Sequence, residues 1–88
     1  MKYVAWDPEK NALLKKERSI CFEDVVVAFS ENRVITFIKH PGETRQHQYI
    51  VVVEINKYAY MVPFVEDEDK LFLETIIPSR KMTKKYLT

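Results

Sequence analysis

Residues 47–65 read HQYIVVVEINKYAYMVPFV, and the organisation of the whole chain follows from them. The runs His47–Ile55 and Tyr58–Val65 are dense in β-branched and aromatic side chains, the types that fit a pleated, half-buried surface. Between them stands Asn56-Lys57, a two-residue connection of the kind that closes a type I′ hairpin. Such a turn prefers Gly second, so Lys57 costs roughly 1 kcal/mol there. The two runs therefore pair as antiparallel strands. Tyr58–Phe64 is apolar at nearly every position, which suits a central strand covered on both faces. Pro63 has no N–H to give a ladder and marks a bulge or a frayed end.

Working outward, Val34–Ile38 and Leu71–Ile77 have the same strand composition, and Glu66–Lys70 forms an acidic turn before the second of them. Toward the N-terminus the period changes. Lys2–Trp6 alternates weakly as a first strand. Asp7-Pro8-Glu9 then supplies a capping acceptor, a proline at the first helical position and an acid in the first turn, so a helix runs from Pro8 to about Arg18. Its apolar members are Ala12, Leu13 and Leu14, a narrow contact stripe, and its Lys10, Lys15, Lys16 and Arg18 point outward. Phe22, Val25, Val26 and Phe29 fall at i, i+3, i+4 and i+7, which predicts a core-facing helix over Phe22–Glu31. Cys21 stands at its capping position, where a thiol accepts poorly. After Ile77, Pro78 and Ser79 stop the strand, and Ser79 is placed to cap a basic helix from Arg80 to Leu87. The expected fold class is α+β, with one domain over residues 1–88.

Composition excludes several classes. With 88 residues there is room for one core, and 47 % apolar residues with a single Gly exclude disorder. The lone Cys21 cannot form an internal disulfide, and MKYVAWDPEK has no apolar segment of a secretory signal, so a reducing cytoplasm is the expected location. No apolar run approaches the roughly 18 residues that span a bilayer. A net charge of +1 conceals a segregation of sign. Glu66–Asp69 is four consecutive anions, whereas residues 80–88 hold Arg80, Lys81, Lys84 and Lys85 with no anion between them.

That terminal cluster is the densest cationic feature, and phosphate suits it. Arg80 offers a bidentate fork, Lys81 and Lys84 point charges, Thr83 a hydroxyl donor and Tyr86 a ring on which a base stacks; the bland reading is a solvated basic tail. The loop His40-Pro-Gly-Glu43-Thr-Arg45-Gln-His47 gathers both histidines of the chain with an arginine and a carboxylate. Imidazole titrates near ~6.5, so His40 and His47 are the proton-transfer candidates at neutral pH, against the alternative of a polar hairpin loop. A metal site from His40, Glu43 and His47 has no zinc-motif spacing and no fourth ligand. The run Glu66–Asp69 lacks the alternation and Gly of a calcium loop and reads as a solvated turn. Cys21 reads as a small core thiol. No cofactor-binding motif is present.

Taken in order, Trp6-Asp7-Pro8-Glu9-Lys10, a lysine-rich helix, a Phe22-Glu23-Asp24 helix, the His40–Arg45 loop and Ile76-Ile77-x-Ser79-Arg80-Lys81-x-Thr83 resemble the BrnT-type toxins over about residues 3–87. The resemblance implies a RelE/ParE-like fold, with helices packed on a twisted, mostly antiparallel sheet of four to five strands. It implies a ribonuclease toxin of a type II toxin–antitoxin system that cleaves RNA through the 2′-hydroxyl without metal, and so inhibits translation and growth. Arg80 and Thr83 match the arginine and hydroxyl of the closing motif, and His40 and Arg45 match the loop; Met82 and Tyr86 depart from the pattern. On this basis Arg80, His40, His47 and Lys81 are assigned to catalysis, and Arg45, Thr83, Lys84 and Tyr86 to substrate binding. The implied partners are a cognate antitoxin encoded nearby, RNA either free or ribosome-held, and DNA through the antitoxin alone, with no membrane. Two other classes stay open: a catalytically silent antitoxin-binding module and a nucleic-acid-binding regulator.

Overall fold

The Asn56-Lys57 turn forms as expected. Both residues are left-handed, with φ of 54° and 64°, and the strands on either side pair without a slip from Ile55 opposite Tyr58 to Gln48 opposite Val65. The computed structural model describes residues 2–39 and 48–87, and within them the order of elements is β1 (Tyr3–Trp6), α1 (Pro8–Arg18), α2 (Phe22–Ser30), β2 (Val34–Lys39), β3 (Gln48–Ile55), β4 (Tyr58–Glu66), β5 (Lys70–Leu73), β6 (Ile77–Pro78) and α3 (Arg80–Tyr86). The architecture is α+β. The strands run β1-β5-β4-β3-β2 across the sheet, with the short β6 also paired to β4. Six strands thus replace the expected four to five. The sheet is mixed, because β1 lies parallel to β5, from Tyr3 opposite Lys70 to Trp6 opposite Leu73.

The last strand is shorter than its composition predicts. Pairing with β4 stops at Leu73 opposite Phe64 and resumes at Ile77 opposite Met61, with one extra residue on the later strand. Pro63 sits across from this interruption, and its carbonyl accepts from Glu74 N–H at 2.8 Å. A proline cannot donate in return, so the regular ladder breaks there and the partner strand bulges. Pro63 itself stays in register opposite Ile50.

One face of the sheet carries the core. Val51, Val53 and Ile55 of β3, Val62 and Phe64 of β4 and Leu73 of β5 pack against Leu14, Ile20, Phe22, Val25 and Ala28. The buried stripe of α2 is therefore Phe22, Val25 and Ala28, while Val26 is 36 % exposed. Phe29, the last residue of the predicted face, is partly buried against the same core. Leu13 likewise points to solvent, and Leu14 alone represents the apolar set of α1 in the core. Trp6 stacks on Phe22 with ring centroids 5.6 Å apart, joining β1 to the first turn of α2. The opposite face is closed at Val52 and Ala59, both fully buried, which agrees with a strand pair covered on both sides at that point.

A buried polar residue that no periodicity announced links the two helices. Asn11 of α1 accepts from Phe22 N–H at 2.7 Å and donates to the Glu23 carboxylate at 2.8 Å. It thereby satisfies an amide in the first turn of α2 that a thiol at the cap could not. Asp24 reaches back to Cys21 N–H at 3.1 Å and completes the start of the helix.

Candidate functional site

The cationic cluster lies on α3, and three contacts fix this helix to the end of β4. Ser79 caps it, its hydroxyl accepting from Met82 N–H at 3.1 Å. Ser79 N–H donates to the Ala59 carbonyl at 2.9 Å. Thr83 supplies the third: its hydroxyl accepts from Ala59 N–H at 2.9 Å and donates to the Ser79 carbonyl at 2.8 Å. The Thr83 proton is thus committed within the protein, and in this conformation it does not donate to a phosphate.

Arg80 and Lys81, in the first turn beyond that anchor, are exposed and make no hydrogen bond or ion pair among the described residues. Lys84 and Lys85 continue the charge into the last turn. Tyr86 is 43 % exposed, and the Lys85 ammonium stands 5.3 Å from its ring centroid, so a base stacking there competes with an internal cation–π contact. Arg18, read from sequence as an outward cation of α1, reaches toward the same region. Its Nη1 donates to the Ile76 carbonyl at 2.8 Å, on the segment that leads into α3. Hydrophobic periodicity carries no signal for that contact.

His40, Arg45 and His47, with Glu43, lie outside the described residues. The strand ends on either side of them are placed. Lys39 pairs with Tyr49, and Gln48 pairs with Val65, whereas Ala59, the anchor of α3, pairs with Glu54. Six residue steps along β3 separate Gln48 from Glu54, which is about 20 Å along an extended strand. The strand ends that carry the 40–47 segment and the basic helix therefore stand toward opposite ends of the sheet.

The remaining titratable groups are engaged structurally. Burial pushes the Cys21 thiol above its ordinary value, which disfavours the nucleophilic thiolate. The Asn11 amide beside Glu23 holds that carboxyl below its ordinary value. In the acidic turn, Asp67 accepts from the Asp69 and Lys70 backbone amides at 2.8 and 2.9 Å and from the Lys70 ammonium, and its pKa falls to about 2. Among the described residues no group of three or more His, Cys, Asp or Glu side chains is arranged to hold a metal ion.

Residues 6–85 match the family described as ribonuclease toxin, BrnT, of type II toxin-antitoxin system. The chain belongs to the BrnT family. The match runs from Trp6 through Lys85 and so includes the histidine segment and all of α3 but Tyr86. Membership makes the chain a toxin of a type II system with ribonuclease activity, and it implies a cognate antitoxin. No curated protein and no solved structure matches the chain significantly. Among the described residues no helix is long and apolar enough to cross a membrane.

Proposed function

We propose that this BrnT-family toxin is a metal-independent endoribonuclease with a RelE/ParE-like fold that cleaves mRNA in the cytoplasm and thereby arrests translation and growth. The reading rests on one observation above the others. In a member of a ribonuclease toxin family, Arg80 and Lys81 stand exposed and unpaired, among the described residues, on a helix locked to the central strand of the sheet. Cations held in place are what an RNA phosphate and its transition state require, since a donor that need not reorganise contributes most.

Cleavage uses the substrate's own 2′-hydroxyl as nucleophile. The oxygen attacks the adjacent phosphorus, the 5′-oxygen leaves, and a cyclic phosphate forms. A base must take the 2′ proton, cations must stabilise the charge that develops on the phosphoryl oxygens, and an acid must protonate the leaving oxygen. Because the nucleophile is internal to the RNA, no metal-bound water is needed. Arg80 and Lys81 are assigned to the phosphoryl charge, Lys84 and Arg45 to flanking phosphates and Tyr86 to a base. His40 and His47 are the proton-transfer candidates, being the only imidazoles of the chain. Single-stranded RNA, free or on the ribosome, is the substrate class, because its splayed bases are the ones a small protein can read.

A second reading, the catalytically silent antitoxin-binding module, is favoured by a specific observation. The strand ends flanking residues 40–47 lie about 20 Å along the sheet from the anchor of α3. Purified protein incubated with single-stranded RNA in the presence of EDTA separates the readings. Cleavage that falls by roughly a hundredfold to a thousandfold in Arg80→Ala supports the nuclease. Intact RNA with an antitoxin complex still forming supports the module. A pH–rate profile unchanged in both His40→Ala and His47→Ala removes the histidines from the mechanism.

A further inference from the structure

The helical layer does not cover the whole core face of the sheet. Beyond the C-terminal end of α2 an apolar groove of about 240 Å³ remains, lined by Phe29, Val34, Phe37, Phe64, Leu71 and Leu73 without a polar side chain among them. Phe37 projects from the edge strand β2 and is 64 % exposed, an unusual cost for so large a ring. It meets Phe64 edge to face at 6.4 Å, and Tyr49 in turn stacks on Phe64 at 5.7 Å. The groove crosses the strands from β2 to β5, three inter-strand spacings or about 14 Å, which is the length of roughly nine or ten helical residues.

Charge identifies what fits. At its β5 end the groove passes Glu66 and opens onto the acidic turn, where a second hollow is lined by Lys2, Glu66, Asp67 and Glu68. Lys2 pairs with Glu66 and Lys70 with Asp67. Glu68 and Asp69 form no ion pair among the described residues, and although the Lys70 charge acts on Asp69 through space, the rim of four anions and two cations stays net negative. An apolar floor with a negative end repels a phosphate chain and selects a protein segment of opposite charge. We propose that this groove is the docking site for an amphipathic helix of the antitoxin, apolar toward Phe37 and Phe64 and basic at the end that lies over Glu68 and Asp69. The proposal rests on the toxin–antitoxin reading, and it places an antitoxin contact on a surface apart from α3.

Binding of purified cognate antitoxin to the full chain tests it by titration calorimetry at low and high salt. Because Phe37 is exposed, Phe37→Ala retains the fold, and the antitoxin should bind it roughly tenfold to a hundredfold more weakly. Glu68→Lys with Asp69→Lys should weaken binding about threefold to tenfold at low salt, with the difference shrinking at high salt. Arg80→Ala should leave the groove contact intact. Unchanged affinity in both groove variants overturns the proposal while the toxin reading stands. Wild-type protein that binds no antitoxin overturns both. A homodimer of the chain alone that Phe37→Ala dissolves overturns it as well, since a second copy would then occupy the groove.

Discussion

The hydroxyl of Thr83 stands between the Ala59 amide and the Ser79 carbonyl, where a direct ladder hydrogen bond would have continued the pairing of β6 with β4. The Ser79 carbonyl is also the first acceptor of α3, taking Thr83 N–H at 3.1 Å. One side chain thus lets the chain leave the sheet and start a helix without orphaning the Ala59 N–H. It also sets the helix that bears Arg80 and Lys81 at a defined place on β4.

Replacing Thr83 by Val keeps the shape and removes the relay. The expected cost is about 1–3 kcal/mol, because the Ala59 amide loses its acceptor in a part-buried position. Thr83→Ser should retain most of the stability in urea unfolding. If Thr83 instead served RNA directly, Thr83→Val would lose cleavage while keeping its stability, and Thr83→Ser would keep both.

Asn11 is expected to behave as a cap supplied from a neighbouring helix. Asn11→Ala strands Phe22 N–H in a buried position, at a cost of about 1–3 kcal/mol. Glu23→Gln should change stability far less, since the backbone contact survives. Equilibrium unfolding of the two variants ranks them, and equal effects would show that the Glu23 contact matters as much as the cap.

The hairpin offers a gain. Lys57 has φ of 64°, which a side chain disfavours and glycine does not. Lys57→Gly should stabilise the protein by roughly 0.5–1 kcal/mol, visible as a melting temperature higher by a few degrees. A lower melting temperature would mean that the Lys57 side chain carries a contact worth more than the turn conformation costs.

Asp67 links stability to acid. Its folded pKa of about 2 lies below the ordinary 3.8, so its contribution is present above the unfolded value and is lost as pH falls toward 2. Wild type should melt higher than Asp67→Asn at neutral pH, and the gap should close between about pH 4 and pH 2. A gap that stays constant down to pH 2 would deny the carboxylate this role.

Features set by neighbouring residues were legible before folding. Asp7-Pro8 marks the start of α1, Asn56-Lys57 makes the turn, and Ser79 caps α3, because each acts within four residues of its own position. The same local logic ran too far at Leu71–Ile77, whose composition is that of one strand throughout. It also put Val26 on the core face, where the structure buries Ala28 instead, since both positions satisfy a helical period.

What the linear chain determined by itself was therefore the order of elements up to the break between β5 and β6, the α+β class and the clustering of cations on the last helix. Only the tertiary structure decided that β1 lies parallel to β5, that Asn11 caps α2, that Arg18 meets Ile76 and that Phe37 borders an open groove. It also put the basic helix and the strand ends flanking residues 40–47 toward opposite ends of the sheet. The reason is physical. Propensity and capping are energies of adjacent residues, whereas these relationships join groups far apart in the chain, and their free energies exist only once the core has closed around them.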